Sequence, residues 1–299
     1  MLSLKDAIEA LCIATRANGR SKRTVNAYRE KLSHLLTYLG DVDVTAITTH
    51  DLRRYVASLW DADLSPFTIA GRVRAFKRLF NFLIAEGLLE TNPTVGIVTP
   101  DPDPREIKAI SKSDLAALLT TTEIGSAIDL RDRAIMLLLI DSGARVQGLA
   151  GLRVSDIDLA TRRAVVTEKG NKTRLVAFTE PTAEALRAWL DVRPQNKGPW
   201  LFTSSKAGRL SNRGISHMLN RRAKQAGVTG PHNPHAFRHR FAINFLLSGG
   251  DIGVLSKLMG HTSVTITIRW YGRFAFSELQ RQHEQHSLIL EMLGGKNDK

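Results

Sequence analysis

His235 and Arg238 stand three residues apart, behind Asn233 and Pro234 and ahead of Gly249-Gly250. Asparagine caps helices and proline fits the first helical position, so the spacing predicts the opening turn of a helix with both side chains on one face. Free N–H groups and the helix dipole favour an anion at such a turn, and an imidazole beside a guanidinium would make it a phosphate site. An ordinary surface helix bearing a His and an Arg would look the same. Three further segments hold side chains able to do chemistry. Arg145 follows a predicted helix end in Ser142-Gly143-Ala144-Arg145, and Lys169 and Lys172 flank a predicted hairpin tip in Glu168-Lys169-Gly170-Asn171-Lys172. Gly260-His261 precedes Arg269-Trp270-Tyr271-Gly272. A tyrosine beside a tryptophan is more often packing than nucleophile. Taken together, and in this order, the four segments suggest one site.

These segments share the basic part of the chain. Residues 1 to 107 hold 14 basic and 13 acidic side chains, whereas residues 108 to 299 hold 28 and 16. The whole chain of 299 residues carries +13 with a pI near 10.2, which points to a polyanion, nucleic acid first. At 43% hydrophobic and 24% charged the composition is that of a globular protein, and its length suggests two domains. No apolar stretch approaches the ~18 residues of a membrane span, and the opening residues lack the basic head and apolar run of a signal peptide. The lone cysteine, Cys12, sits between Leu11 and Ile13 and reads as a buried thiol. A cytoplasmic protein that is neither exported nor membrane-bound is expected.

The elements that must position the site follow from periodicity. Leu4, Ile8, Leu11 and Ala14 or Thr15 form one helical face, and Thr24, Tyr28, Leu32, Leu35, Leu36 and Leu39 another, with Gly19 and Gly40 placed to end the helices. A third helix is predicted from near His50 to Trp60 and a fourth from Ser65-Pro66 to about Glu86. The fourth sets Arg72, Arg74, Lys77 and Arg78 beside an apolar stripe, a candidate nucleic-acid surface that could equally be a solvated face. Pro93, Pro100, Pro102, Pro104 and Gly96 mark a linker. Beyond it, helices over Ser113 to Leu119 and Leu130 to Ile140 precede short β-like runs from Val154 to Thr179, a small antiparallel sheet. Helices return over Thr182 to Asp191, Ser211 to Ala226, Pro234 to Leu247 and Ile252 to Met259. The expected fold is mainly α with a small antiparallel β-sheet. The expected domains are a helical one at 1–92, a linker at 93–107 and a mixed α/β one at 108–299 that ends in a helix.

The chain resembles the tyrosine recombinases of the phage integrase and Xer type over nearly its whole length. The resemblance is carried by Ser142 to Arg145 with Leu149-Ala150-Gly151-Leu152, Lys169 to Lys172 before Arg174-Leu175-Val176, His235-Ala236-Phe237-Arg238-His239, and Leu258-Met259-Gly260-His261. Thr68-Ile69, Phe76 to Leu83, Glu86-Gly87 and Asn92-Pro93 resemble the family's core-binding domain. The resemblance implies a catalytic set of Arg145, Lys169, His235, Arg238, His261 and Tyr271. It also implies a reaction in which Tyr271 attacks a DNA phosphate to give a 3′-phosphotyrosine and a free 5′-hydroxyl, with neither ATP, metal nor cofactor. Arg145 and Arg238 would clamp the nonbridging oxygens, and His235 would take the phenol proton. His261 would bind the phosphate or position the tyrosine, and Lys169 would protonate the leaving oxygen, with Lys172 its rival for that role and a candidate DNA contact. These residue types suit the chemistry, because paired guanidinium donors stabilise charge that gathers in the transition state and a phenol of pKa ~10 needs a proton acceptor.

The implied partners are duplex DNA at a specific recombination site and three further copies of the chain. Two domains would close around the duplex, strands would be cut two at a time through a Holliday junction, and a terminal helix from Phe276 to Leu293 would pass to a neighbouring protomer or pack at home. Nucleoid association would follow. Two departures stand against the pattern. Where the family carries an acidic residue three positions after the first arginine, position 148 is glycine, so that carboxylate is missing, which would loosen Arg145 or leave its function to another residue. The family tyrosine lies one residue nearer the last histidine, at the position Trp270 fills. A local insertion that restores Tyr271 is expected. The alternatives are a catalytically degenerate DNA-binding or architectural protein of the same fold and a type IB topoisomerase-like relaxase.

Overall fold

Ser3, Ser21, Thr48 and Ser65 each accept a hydrogen bond from a free backbone N–H at the start of a helix, and these caps open the four helices of the first unit. In the computed structural model they are α1 (Leu4–Ala17), α2 (Lys22–Leu39), α3 (Thr49–Asp61) and α4 (Pro66–Ala85). Gly19, just past α1, and Gly40, which caps α2, both take positive φ, and Pro66 occupies the first turn of α4. Leu4, Leu11, Leu32, Leu35, Leu52, Phe76 and Phe80 are almost fully buried and form the unit's core, in which Cys12 is also buried. Ile97, within the segment expected as a linker, packs into the same core.

The structure describes residues 1–101, 106–123, 125–168, 172–204, 208–289 and 292, with the backbone alone at 277–279 and 282. Lys169 and the expected Gly170-Asn171 turn lie outside the described residues, as do Pro102, Pro104, Leu290 and Leu293. The chain divides into two compact units, Met1–Arg105 and Glu106–Lys299. Among the described residues no helix is long and apolar enough to cross a membrane.

The second unit is mostly helical around a three-stranded antiparallel sheet. Its elements are α5 (Lys112–Thr120), α6 (Ala127–Ser142), α7 (Val146–Ala150), β1 (Ile157–Asp158), β2 (Arg163–Glu168), β3 (Lys172–Ala177), α8 (Glu180–Val192), α9 (Asn212–Gln225), α10 (Pro234–Leu247), α11 (Ile252–Met259), α12 (Val264–Tyr271) and α13 (Phe276–Gln285). The strands run in the order β1-β2-β3, with Ala164 opposite Val176, Val166 opposite Arg174 and Glu168 opposite Lys172. Period-two alternation therefore turns Ala164, Val166 and Glu168 to one face together with Arg174 and Val176. The apolar members of that face join a core built on Ile135, Leu139, Leu186, Phe202 and Phe237. Asp132, fully buried on α6, pairs with Arg222 of α9 and also with Arg131 and Arg221, which ties the two helices together.

Three elements differ from expectation, the first being the terminal helix, expected over Phe276 to Leu293, which breaks after Gln285. The five-residue α7 has too few residues to show a period, and α12 forms where the sequence offers only a Thr- and Ile-rich run. Ser263 caps α12 and its inner face buries Thr267 and Tyr271, so packing overrides the weak helix propensity of its β-branched residues.

Candidate active site

The last turn of a helix leaves carbonyls without intrahelical partners, and at the end of α11 three arginines take them. Arg174 Nη1 donates to Leu258 O at 2.6 Å, Arg238 Nη2 donates to Met259 O at 2.6 Å, and Arg145 donates from Nη1 and Nη2 to Gly260 O at 3.3 Å. Each arginine arrives from a different element. Arg145 caps α7 immediately after Gly143 ends α6 in the left-handed conformation, Arg174 lies on the inward face of β3, and Arg238 occupies the first turn of α10. Gly260 holds φ at +62°, and a Cβ there would stand 2.6 Å from Arg174 Nε.

Arg238 is 6% exposed, and among the described residues its hydrogen-bond partners are the carbonyls of Gly143 and Met259 with the His261 ring, none of them anionic. Burial, then the neighbouring Arg145 and Arg174, lowers its pKa to about 10, which leaves it charged at neutral pH. A buried cation without a carboxylate partner is an incomplete pair, and an anion would complete it.

One carboxylate does enter the cluster. Glu168 Oε2 accepts from Arg145 Nη1, and Oε1 accepts from Arg174 Nη2 at 3.0 Å. Of the two outcomes expected of Gly148, a loosened Arg145 or its carboxylate's function left to another residue, the contact fits the second: the acid comes from the end of β2, which alternation turns inward. Among the described residues, three guanidiniums and one carboxylate leave the cluster positive by two.

His261 and His235, the two imidazoles beside the cluster, are held towards their neutral form. Arg238 Nη2 lies 3.2 Å from His261 Nε2, so that nitrogen must accept, and the proton sits on Nδ1, 2.8 Å from Thr267 Oγ1. Burial first, then the surrounding arginines, holds the His261 pKa at about 4. His235 is half-buried, and burial followed by the charges of Arg238 and Arg145 pushes it below its ordinary value. Arg145, His235, Arg238 and His261 are therefore brought together.

Tyr271 stands at the end of α12, 2% exposed among Leu246, Leu255 and Met259. Its hydroxyl meets His239 Nδ1 at 2.6 Å, not His235. Burial raises the phenol to about 12 against the opposing charge of Arg238, and it lowers His239 to about 4, so the phenol keeps its proton and donates it to the imidazole. Trp270 is half-buried with its ring 6.5 Å from that of His239. Lys169 lies outside the described residues, and Lys172 is exposed at the first position of β3. On α4, Arg74 and Arg78 are exposed, whereas Arg72 and Lys77 are half-buried. Glu168, Arg174 and His239 escaped the sequence reading as functional side chains. The period-two pattern of β2 and β3 was the available signal for the first two, whereas nothing in the spacing singles out His239.

Comparison with known proteins follows the same division of the chain. The phage integrase family model matches residues 108–278, and the phage integrase N-terminal SAM-like domain matches residues 15–87. Tyrosine recombinase XerC of Alcanivorax borkumensis is 35% identical over 88% of this chain and 87% of its own. Tyrosine recombinase XerD of Mycobacterium leprae is 33% identical over 82% and 84%. The Tn1549 transposon integrase, solved in complex with a circular intermediate DNA, superposes with a TM-score of 0.76 at 18% identity, covering 95% of this chain and 99% of that one.

Proposed function

The chain belongs to the phage integrase family and is a site-specific DNA recombinase that breaks and rejoins strands, and we propose that Tyr271 is its nucleophile and Arg145 and Arg238 its phosphate clamp. The observation that carries this assignment is the excess of positive charge at the end of α11, buried at Arg238 and open to solvent at Arg145, with two neutral imidazoles beside it. In-line attack by the phenolic oxygen forms a phosphorus–oxygen bond to Tyr271 and breaks the one to the 5′-oxygen. The two guanidiniums hold the nonbridging oxygens as charge gathers on them. His235 takes the phenol proton, His261 donates to the phosphate from Nε2 once the ring proton has moved there from Nδ1, and Lys169 supplies the proton to the departing 5′-oxygen. The bond energy stays in the phosphotyrosine, so the 5′-hydroxyl of a partner strand can reverse the step without an external energy source.

Duplex DNA is the substrate, and the Tn1549 integrase complex with DNA supports that partner. A tetramer on paired sites, exchange of the terminal helix between protomers, and residence in the cytoplasm on the nucleoid complete the proposal. The reading of the site as degenerate loses one of its two supports, since Arg145 has its carboxylate in Glu168.

The test uses a cognate site, found by sequencing DNA recovered with the protein, nicked beside the scissile phosphate so that the cut fragment diffuses away. Wild-type protein should accumulate a denaturation-resistant DNA adduct, and Tyr271→Phe should bind the site without forming one. An undiminished adduct in Tyr271→Phe would assign the nucleophile elsewhere.

A further inference from the structure

We infer that Glu168 is the positioning residue for the phosphate-clamping Arg145, and that Gly148 is the vacancy that admits it. Arg145 is 37% exposed on its side chain, a long cation at the rim of the site that the long contacts to Gly260 O alone would hold loosely. Glu168, whose side chain is 9% exposed, gives one oxygen to Arg145 and the other to Arg174. Arg174 is in turn anchored on Leu258 O, so the carboxylate ties the more exposed arginine to a more buried one. Each guanidinium keeps further N–H groups for a ligand.

Space makes the arrangement possible. A Cβ on residue 148 would lie 3.3 Å from Val166 Cβ, which is tight, and 3.6 Å from Glu168 Cγ, in contact with it, so a side chain longer than alanine on α7 would compete for the space beside Glu168. A glutamate at 148 with glutamate retained at 168 would crowd two carboxylates beside Arg145, and their mutual repulsion disfavours holding both ionised in the same place. One carboxylate, from the helix or from the strand, is enough to hold Arg145. Glu168 also precedes Lys169 in the chain and forms the last described rung of the hairpin, opposite Lys172. The group that aims the arginine thus sits at the base of the hairpin that carries the proposed acid.

The inference rests on Arg145 as a phosphate clamp, and its test separates the two. Adduct formation is timed on the nicked site for wild type, Arg145→Ala, Glu168→Gln, Glu168→Gly, Gly148→Glu and the exchanged pair Gly148→Glu/Glu168→Gly. Each protein is also tested on a site whose scissile phosphate is a methylphosphonate, with one charged oxygen replaced by methyl. Glu168→Gln should slow adduct formation about 10- to 100-fold, the range met when a group that orients a contacting ligand is lost, while DNA affinity changes by less than about 3-fold. On the methylphosphonate, where less charge awaits the guanidinium, the penalty should shrink to within about 3-fold. The exchanged pair should be at least about 10-fold faster than Glu168→Gly, and Gly148→Glu alone should be slower than wild type. An exchanged pair that melts like wild type yet is no faster than Glu168→Gly overturns the inference. If the pair does not fold, an equal Glu168→Gln penalty on both substrates overturns it. Full activity in Arg145→Ala would instead sink the clamp on which the inference rests.

Discussion

The phenolic oxygen of Tyr271 lies 2.6 Å from Nδ1 of His239, four residues beyond the histidine proposed as its base. With the phenol at about 12 and the imidazole at about 4, the proton stays on the tyrosine and His239 is a holder rather than an acceptor. The hydroxyl must leave this contact before it can attack a phosphate. A buried hydroxyl stripped of its partner costs roughly 1–3 kcal/mol, so His239→Phe should move the tyrosine towards solvent. Acylation of Tyr271 by a tyrosine-selective reagent, read by peptide mass without DNA, should quicken about fivefold or more. An unchanged rate would mean that apolar packing alone retains the ring.

Gly143 serves the site through its backbone. It ends α6 at φ +57°, its carbonyl accepts from Arg238, and a Cβ there would stand 2.3 Å from the Phe241 ring. Gly143→Ala should cost about 1–2 kcal/mol from the left-handed backbone alone, with more from the ring. That corresponds to about 2–4 °C of melting temperature per kcal/mol for a domain of this size. Cleavage should fall further than stability explains, because Arg238 loses its aim. A variant with lowered melting temperature and wild-type cleavage at a permissive temperature would refute this link.

The basic residues of α4 are not equivalent. Arg74 and Arg78 are exposed one helical turn apart, whereas Arg72 is half-buried and its charge opposes the rise that burial imposes on Tyr55. Replacing Arg74 and Arg78 together by alanine should lower the slope of log affinity against log salt by about 2, near ~0.9 for each phosphate contact. Arg72→Ala should change the slope less and stability more. Binding isotherms at several salt concentrations decide it, and an unchanged slope in the double variant would remove α4 from the DNA surface.

Much of this was legible in the sequence because it rests on local rules. Ser65-Pro66 and Asn233-Pro234 mark helix starts through capping and proline geometry, and the Pro234–Leu247 and Ile252–Met259 helices match their predicted spans. The ordered segments around Arg145, His235, Arg238 and His261 converge as one site. What escaped depends on contacts distant in sequence. Glu168 reaches Arg145 across 23 residues, and only the strand register shows that a missing side chain on α7 is answered from β2. The His239 and Tyr271 pair spans 32 residues, and the length and pitch of α12 choose between His235 and His239.

The pH profile of cleavage should separate these histidines. His235 sits below its ordinary value because burial and two arginines disfavour its charged form, so it stays neutral and able to accept a proton down to a pH beneath the usual imidazole range. The second-order rate of adduct formation at limiting protein reports the free enzyme's groups. It should be flat through neutrality and fall only once acid protonates His235. Tyr271, raised to about 12, contributes no phenolate there, so a flat profile requires a base. His235→Ala removes that base, and the remaining rate should then climb about tenfold per pH unit through the neutral and mildly alkaline range, as specific-base catalysis does. A flat profile that survives His235→Ala but is lost in His239→Ala would move the base four residues along α10, to the imidazole that already holds the phenol.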